Sequence, residues 1–281
     1  MLNLVRKCEP LCIFYWEVRR FLKLPPKSVS ETIYRIKKNG KIQGVQSRGI
    51  FDFPWGAFEY TSTDSLIGQY REIFESRHYS FECDTKNPRI FDCGGNMGLS
   101  AIWFSLNYPD CQLVVFEPDE NLAEIIATNL RNAGINGCSI INKAAWVHEG
   151  RIAFAKSGDD KGRVDHHSED MVECVDLSSF LEEPLDLLKL DIEGAEYEVI
   201  SHLRQSGAIA LVKRIACECH IIREETSKMT HLIDSLLDAG FTVSFNDGHA
   251  VPWLGLTAES SPFTIIGKNN VTIQLYAWRG K

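Results

Sequence analysis

From residue 89 onward, short apolar runs alternate with helical stripes, and this alternation constrains the fold more than any other feature of the chain. Arg89–Cys93 and Gln112–Phe116 read as strands, as do residues 139–144, 185–190 and 212–217. Between them Leu99, Ile102, Trp103 and Leu106 recur at helical spacing. Leu122, Ile125, Ile126 and Leu130 do the same, followed by Val199, Ile200 and Leu203, then Leu232, Ile233, Leu236 and Leu237. Gly134, Gly207 and Gly240 close three of these helices. Residues 241–245 and 263–266 read as late strands, with 272–276 as a partner of the latter. Strands that are apolar throughout are buried on both sides, so a mostly parallel sheet with helices on both faces is expected. Such sheets bind ligands at the carboxyl ends of their strands, where the strand order reverses. Functional residues are therefore expected just after the first, second, fourth and fifth strands.

The region before residue 80 follows no such pattern. Residues 1–24 read as an amphipathic helix stopped by Pro25 and Pro26. Thr32 to Ile36 and Ile42 to Val45 read as strands joined by an Asn39, Gly40 hairpin turn, and residues 64–80 as a helix. This divides the chain into an N-terminal helical and hairpin extension (1–80) and a sheet domain (81–281). The apolar run at residues 11–16 is closed by Glu17, Arg19 and Arg20, too short for a spanning helix or a signal peptide, so no stable membrane insertion is expected. The nine cysteines are an odd number without zinc-finger spacing, which points to a reducing compartment, the cytoplasm. With 38 acidic against 30 basic residues the net charge is -8, which argues against nucleic acid as the main partner. The oligomeric state is left open.

The first strand runs into Asp92, Cys93, Gly94, Gly95, Asn96, Met97 and Gly98. Gly94 permits a tight turn, and Gly95 and Gly98 permit close backbone approach. The following helix turns its free N–H groups and positive dipole end toward the loop. Glu117 ends the second strand, where an acid accepts hydrogen bonds from both hydroxyls of a ribose. Asp92 would repel a pyrophosphate and attract an ammonium and a sulfonium. The glycine spacing also departs from the dinucleotide pattern G-x-G-x-x-G. Together these features favour S-adenosyl-L-methionine over NAD. Ala144 and Ala145, at the end of the third strand, either leave room for a flat base or mark a close helix–strand contact, and Tyr79 precedes the first strand near the glycine loop.

Three blocks carry a resemblance. Phe91 to Gly98, then Val115, Phe116, Glu117 and Pro118, then Lys189, Leu190, Asp191, Ile192, Glu193, Gly194, Ala195 and Glu196 resemble the FkbM family of methyltransferases. That family shows D-x-G-A-N-x-G, F-E-P and K-x-D-x-E-G-A-E in the same order. Gly95 stands where the family usually has Ala. The resemblance spans roughly residues 80–245. It implies a Rossmann-like α/β fold of the class I methyltransferase type, with a mostly parallel seven-stranded sheet, helices on both faces and the N-terminal extension added. It also implies S-adenosyl-L-methionine as cofactor, lined by Asp92, Gly94, Asn96, Gly98 and Glu117. O-methylation of a hydroxyl on a sugar, glycan or small natural product follows from the same resemblance. The full expected cofactor set adds Tyr79, Gly95, Met97, Pro118, Ala144, Ala145 and Asp191.

For catalysis, Asp191 at the end of the fourth strand is the first candidate for general base, with Glu193 next to it. Both also suit a helix start, as cap and first-turn acid. Glu218 and His220 follow the fifth strand, and His220 suits proton transfer near neutral pH. Strand alternation puts Cys217 and Cys219 on the face opposite Glu218 and His220, so that set is not expected to hold a metal. His166 and His167 lie in a polar stretch that reads as a solvated loop or a mobile lid. The competing functions are an NAD-dependent oxidoreductase and a non-catalytic cofactor-binding module.

Overall fold

The computed structural model describes residues 29–43, 48–155, 162–164, 168–222, 226–246 and 270–280. The expectations for residues 1–24 and 263–266 and for His166 and His167 lie outside these residues. The expected strand pair around Asn39 and Gly40 is instead one helix, α1 (Val29–Gln43). Its buried residues Thr32, Ile33, Ile36 and Gly40 recur at helical spacing, which overrides the local turn signal. The hairpin lies farther along. Strands β1 (Gly49–Phe53) and β2 (Gly56–Tyr60) pair antiparallel and bury Phe51, Phe53, Phe58 and Tyr60. Helix α2 (Thr63–Tyr70) is capped by Ser62, whose hydroxyl accepts the Ser65 N–H at 3.0 Å. It was expected to run to residue 80 but gives way to a π-helical turn at Arg71–Glu75, closed by the Ser76 N–H to Arg71 O bond of 2.8 Å.

The sheet domain then alternates as expected through β3 (Arg89–Cys93), α3 (Leu99–Asn107), β4 (Gln112–Phe116), α4 (Glu120–Asn132) and β5 (Cys138–Ile141). The expected third strand at 139–144 is split in two. Lys143 N–H bonds back to Ile141 O at 2.8 Å and the Asn142 side chain donates to Glu117 O at 2.8 Å, which turns the chain out of the sheet. Ala144 and Ala145 therefore open β6 (Ala144–Trp146), which joins β7 (Gly150–Ala155), β8 (Arg163–Val164) and β9 (Met171–Asp176) in a second sheet of order β6-β9-β7-β8. The chain returns as β10 (Leu187–Leu190), α5 (Glu196–Gln205), β11 (Arg214–Ile222), α6 (Thr226–Asp238), β12 (Thr242–Asn246) and β13 (Asn270–Trp278).

The main sheet has seven strands in the order β12-β13-β11-β10-β3-β4-β5. All neighbours are parallel except β13, which runs antiparallel to both β11 and β12. One apolar cluster joins α1, the β1–β2 hairpin, α2, α3 and α4. A second joins α5, α6 and the smaller sheet. The strand order reverses between β3 and β10, so this topology opens a crevice beyond their carboxyl ends. β11 is longer than expected and carries Glu218 and His220 within the strand.

Candidate active site

The crevice is a cleft of about 1210 Å³. Its floor is the glycine turn. Gly94 takes φ 85° and Asn96 φ 49°, and the Gly94 and Gly95 N–H groups both donate to Phe116 O, at 3.0 and 3.2 Å. A Cβ at Gly94 would collide with the Asp191 carbonyl oxygen, so only glycine lets the ends of β3 and β10 close on each other. A Cβ at Gly95 would strike Val115 and Ile126. The departure from the family's alanine is thus matched by filled space behind the loop.

Glu117 stands at the end of β4 with only 5% of its surface exposed. Its two oxygens each accept one backbone N–H, from Asn96 at 2.8 Å and from Asp119 at 3.0 Å. Burial pushes its carboxyl up to about 7, and those two N–H groups only partly offset the burial. Each oxygen retains capacity for a further hydrogen bond from the cleft. Pro118, Ala144 and Ala145 form the adjoining wall, with Tyr79 also on the cleft surface.

Three residues expected in the cofactor set do not line the cleft. Asp92 is fully buried, with Lys189 Nζ at 2.8 Å and the Ser100 hydroxyl at 2.6 Å. Its charge is answered inside the protein, so it does not present a bare carboxylate to a cationic ligand. Met97 turns into the core, where its sulfur accepts from the Thr61 N–H at 3.3 Å. Gly98 is the N-cap of α3 and packs on Ile126. Lys189, quoted in the sequence motif without a role, also donates to Gly94 O at 2.8 Å and lies 5.4 Å from the Tyr79 ring centre. Burial acts to lower its pKa, and the Asp92 and Asp191 carboxylates outweigh that and hold it raised.

The opposite side of the cleft is acidic. Asp191 follows β10, with Glu193 (φ 55°) and Gly194 (φ 106°) forming the turn into α5. Glu196, fully buried, shapes that turn by accepting the Ile192 N–H at 3.0 Å and the Gly194 N–H at 3.0 Å. It also bonds His220 Nδ1 at 3.0 Å. His220 Nε2 lies 3.4 Å from Glu193 and 3.8 Å from Glu218. Burial works against a charge on His220, but the bond to Glu196 and the Glu196, Asp191 and Glu193 carboxylates prevail and raise its pKa to about 10. These carboxylates favour the protonated imidazole, which counts against general-base duty for His220. Glu72, from the π-helical turn, also lines the cleft, and burial with the nearby Asp191 charge raises it to about 7. Burial, then Asp191 and Glu72, raise Glu218 as well. Glu72 carries no sequence signal, since only the π turn decides which way it faces. Glu196 was visible as the last letter of the family motif.

An open seven-stranded sheet with one antiparallel strand, a glycine turn after β3 and an acid ending β4 define a Rossmann-like methyltransferase of class I. The Methyltransferase FkbM domain model matches residues 92–243, and the chain belongs to the FkbM methyltransferase family. Methyltransferase sdnD of Sordaria araneosa is 26% identical over 216 residues, 62% of this chain and 82% of that protein. Among solved structures, the methyltransferase FkbM from Methylobacillus flagellatus KT aligns with a TM-score of 0.47 at 14% identity, over 70% of this chain and 45% of that one. M. jannaschii TYW2 in complex with AdoMet aligns with a TM-score of 0.43 at 11% identity, over 84% and 89% of the two chains. The family assignment displaces the oxidoreductase alternative. Among the described residues no helix is long and apolar enough to cross a membrane.

Proposed function

We propose that the chain uses S-adenosyl-L-methionine to methylate a hydroxyl of a small-molecule or glycan acceptor. The observation that carries this reading is the pairing, across one cleft, of Glu117 beside a turn no side chain can enter with the carboxylates of Glu72, Asp191, Glu193 and Glu218. The residues present fit the cofactor. Glu117 would take the ribose hydroxyls, Pro118, Ala144 and Ala145 would flank the base, and the Gly94, Gly95 and Asn96 backbone would hold the amino-acid end. The cationic groups would face the acidic side of the cleft rather than the neutralised Asp92. When bound, the cofactor supplies an electrophilic methyl group. The cleft volume of about 1210 Å³ exceeds the ordinary ~300–1,000 Å³ of a single-ligand site, which leaves space for an acceptor.

The acceptor side presents the four acids Glu72, Asp191, Glu193 and Glu218, answered only in part by His220 and Lys189. This disfavours phosphate-rich acceptors, nucleic acid included, and supports a neutral hydroxyl compound. Holding that hydroxyl in line with the methyl group is worth up to roughly 7–11 kcal/mol in positioning. The acidic cluster takes up the departing proton.

Thermal melting with S-adenosyl-L-methionine and with NAD tests the cofactor half of the proposal. The methyl donor is expected to raise the melting temperature, and a shift by NAD alone would reject the reading. Labelled methyl transfer to a panel of sugars, glycans and hydroxylated natural products tests the other half. Asp191→Asn should lower turnover by ~10²-fold or more while keeping the donor-induced shift. Unchanged turnover in that variant would remove Asp191 from the chemistry.

A further inference from the structure

We propose that Asp191, Glu218 and His220 form a divalent-cation site on the acceptor side of the cleft, supported by Gln274. The proposal rests on the methyltransferase reading above for its purpose, although its geometry is independent of it. One ligand atom from each of the three residues lies within 4.8 Å of the others. Metal–ligand bonds of ~2.0–2.4 Å place opposite ligands about 4–5 Å apart, so one ion can reach all three. The arrangement follows from the sheet. Leu190 pairs with Cys217 between β10 and β11, which carries Asp191 level with Glu218, and His220 is the next residue on the same face of β11.

The histidine is set for the task. Its Nδ1 is tied at 3.0 Å to Glu196, which is fully buried and held by two backbone N–H groups. This leaves Nε2 directed at the carboxylates, and a cation would take the place of a proton there. A carboxylate behind the far nitrogen is the usual orienting partner of a metal-bound imidazole.

Gln274 is the second, independent observation. It is the cross-strand partner of Glu218 on β13, so its side chain shares the face that carries Glu218 and His220. Only 7% of it is exposed, and neither amide atom has a hydrogen-bond partner among the described residues. A buried amide left unpaired is destabilising. An ion, or a water held by one, gives the amide oxygen its missing partner.

Two carboxylates, an imidazole and an amide are mostly hard donors with one borderline nitrogen, a set suited to Mn²⁺. Cys217 and Cys219 lie on the opposite face of β11, with their sulfurs 3.5 Å apart, and supply no thiolate to it. In the reaction, the ion would hold the acceptor oxygen while the O–H bond breaks. The proton would pass to the Glu72 carboxylate, the ion would steady the charge on oxygen, and the O–C bond would form as the donor's methyl–sulfur bond breaks and the neutral thioether leaves.

The test is a Mn²⁺ titration of the chelator-treated full chain, following the free-ion signal by electron paramagnetic resonance. One ion per chain is expected. Asp191→Asn, Glu218→Gln and His220→Asn should each weaken binding at least ~10-fold, with Glu196→Gln weakening it by ~10–100-fold. Gln274→Met should weaken Mn²⁺ binding yet raise the melting temperature of the metal-free protein, which a purely structural role for Gln274 does not allow. Absence of a stoichiometric site, or equal binding by the folded variants, overturns the proposal. The donor-induced melting shift is read in the same samples. If Mn²⁺ fails and the donor shift survives, only the cation site falls; if the ion binds and the donor shift is missing, only the cofactor reading falls.

Discussion

Asp92 and Lys189 sit level with each other on β3 and β10 and form an ion pair of 2.8 Å out of contact with water. Removing one partner of such a pair strands a buried charge at a cost of about 3–5 kcal/mol, whereas removing both leaves none. Lys189→Met and Asp92→Asn should therefore each lower the urea midpoint strongly, and the double variant should be more stable than the summed losses predict. Strict additivity would show that the two charges do not depend on each other. This pair also marks where the sequence stopped being legible. The acid at the loop start could be found from its place at the end of a strand, but its partner lies 97 residues on, and their meeting depends on β3 and β10 being neighbours. Glu117 and Gly94 were readable because their roles need only the end of one strand and the turn that follows it. Glu72 was not, since it reaches the cleft from an element whose own geometry was misjudged.

At the level of elements, the helices and strands after residue 89 were readable because burial imposes a clean period on them. The errors cluster where tertiary contacts overrule local signals. Beside Asn39, Gly40 reads locally as a turn residue, yet it lies inside α1 where that helix meets α2. A Cβ there would come within 2.5 Å of Thr63 Oγ1 and 2.7 Å of its methyl carbon. Thr63 is buried and β-branched, with little freedom to move aside. Alanine normally stabilises a helix interior by about 1 kcal/mol relative to glycine. Gly40→Ala is expected to reverse that sign and lower the melting temperature, and Thr63→Ala in the same chain should recover part of the loss. A rise in melting temperature for Gly40→Ala alone would mean that α1 and α2 do not approach this closely. The split between β5 and β6 has the same origin. The residues 139–144 look like one strand, and the bond from Asn142 to the β4 end is what bends them apart.

The molecule as a whole carries a net charge of -8 and concentrates buried acids around the cleft, which couples its stability and its ligand binding to pH in opposite directions. Glu117 shows both. Burial raises its folded-state pKa from 4.5 to about 7, so its favourable contribution is full below about 4.5 and is lost as pH rises through 7. For this group alone, the ligand-free protein is most stable in mild acid. A ribose diol donating to the carboxylate favours the charged form and pulls the pKa back down. Cofactor binding therefore strengthens with pH up to about 7, and at pH 6 should be about tenfold weaker than at pH 8 on account of Glu117. Calorimetric titration of S-adenosyl-L-methionine across that range, in wild type and in Glu117→Gln, isolates the effect from ionisation of the cofactor's own amine. The variant should bind more weakly above pH 7 and lose the part of the pH slope that Glu117 supplies. Identical slopes in the two proteins would mean that Glu117 does not meet the ribose, whatever else occupies the cleft.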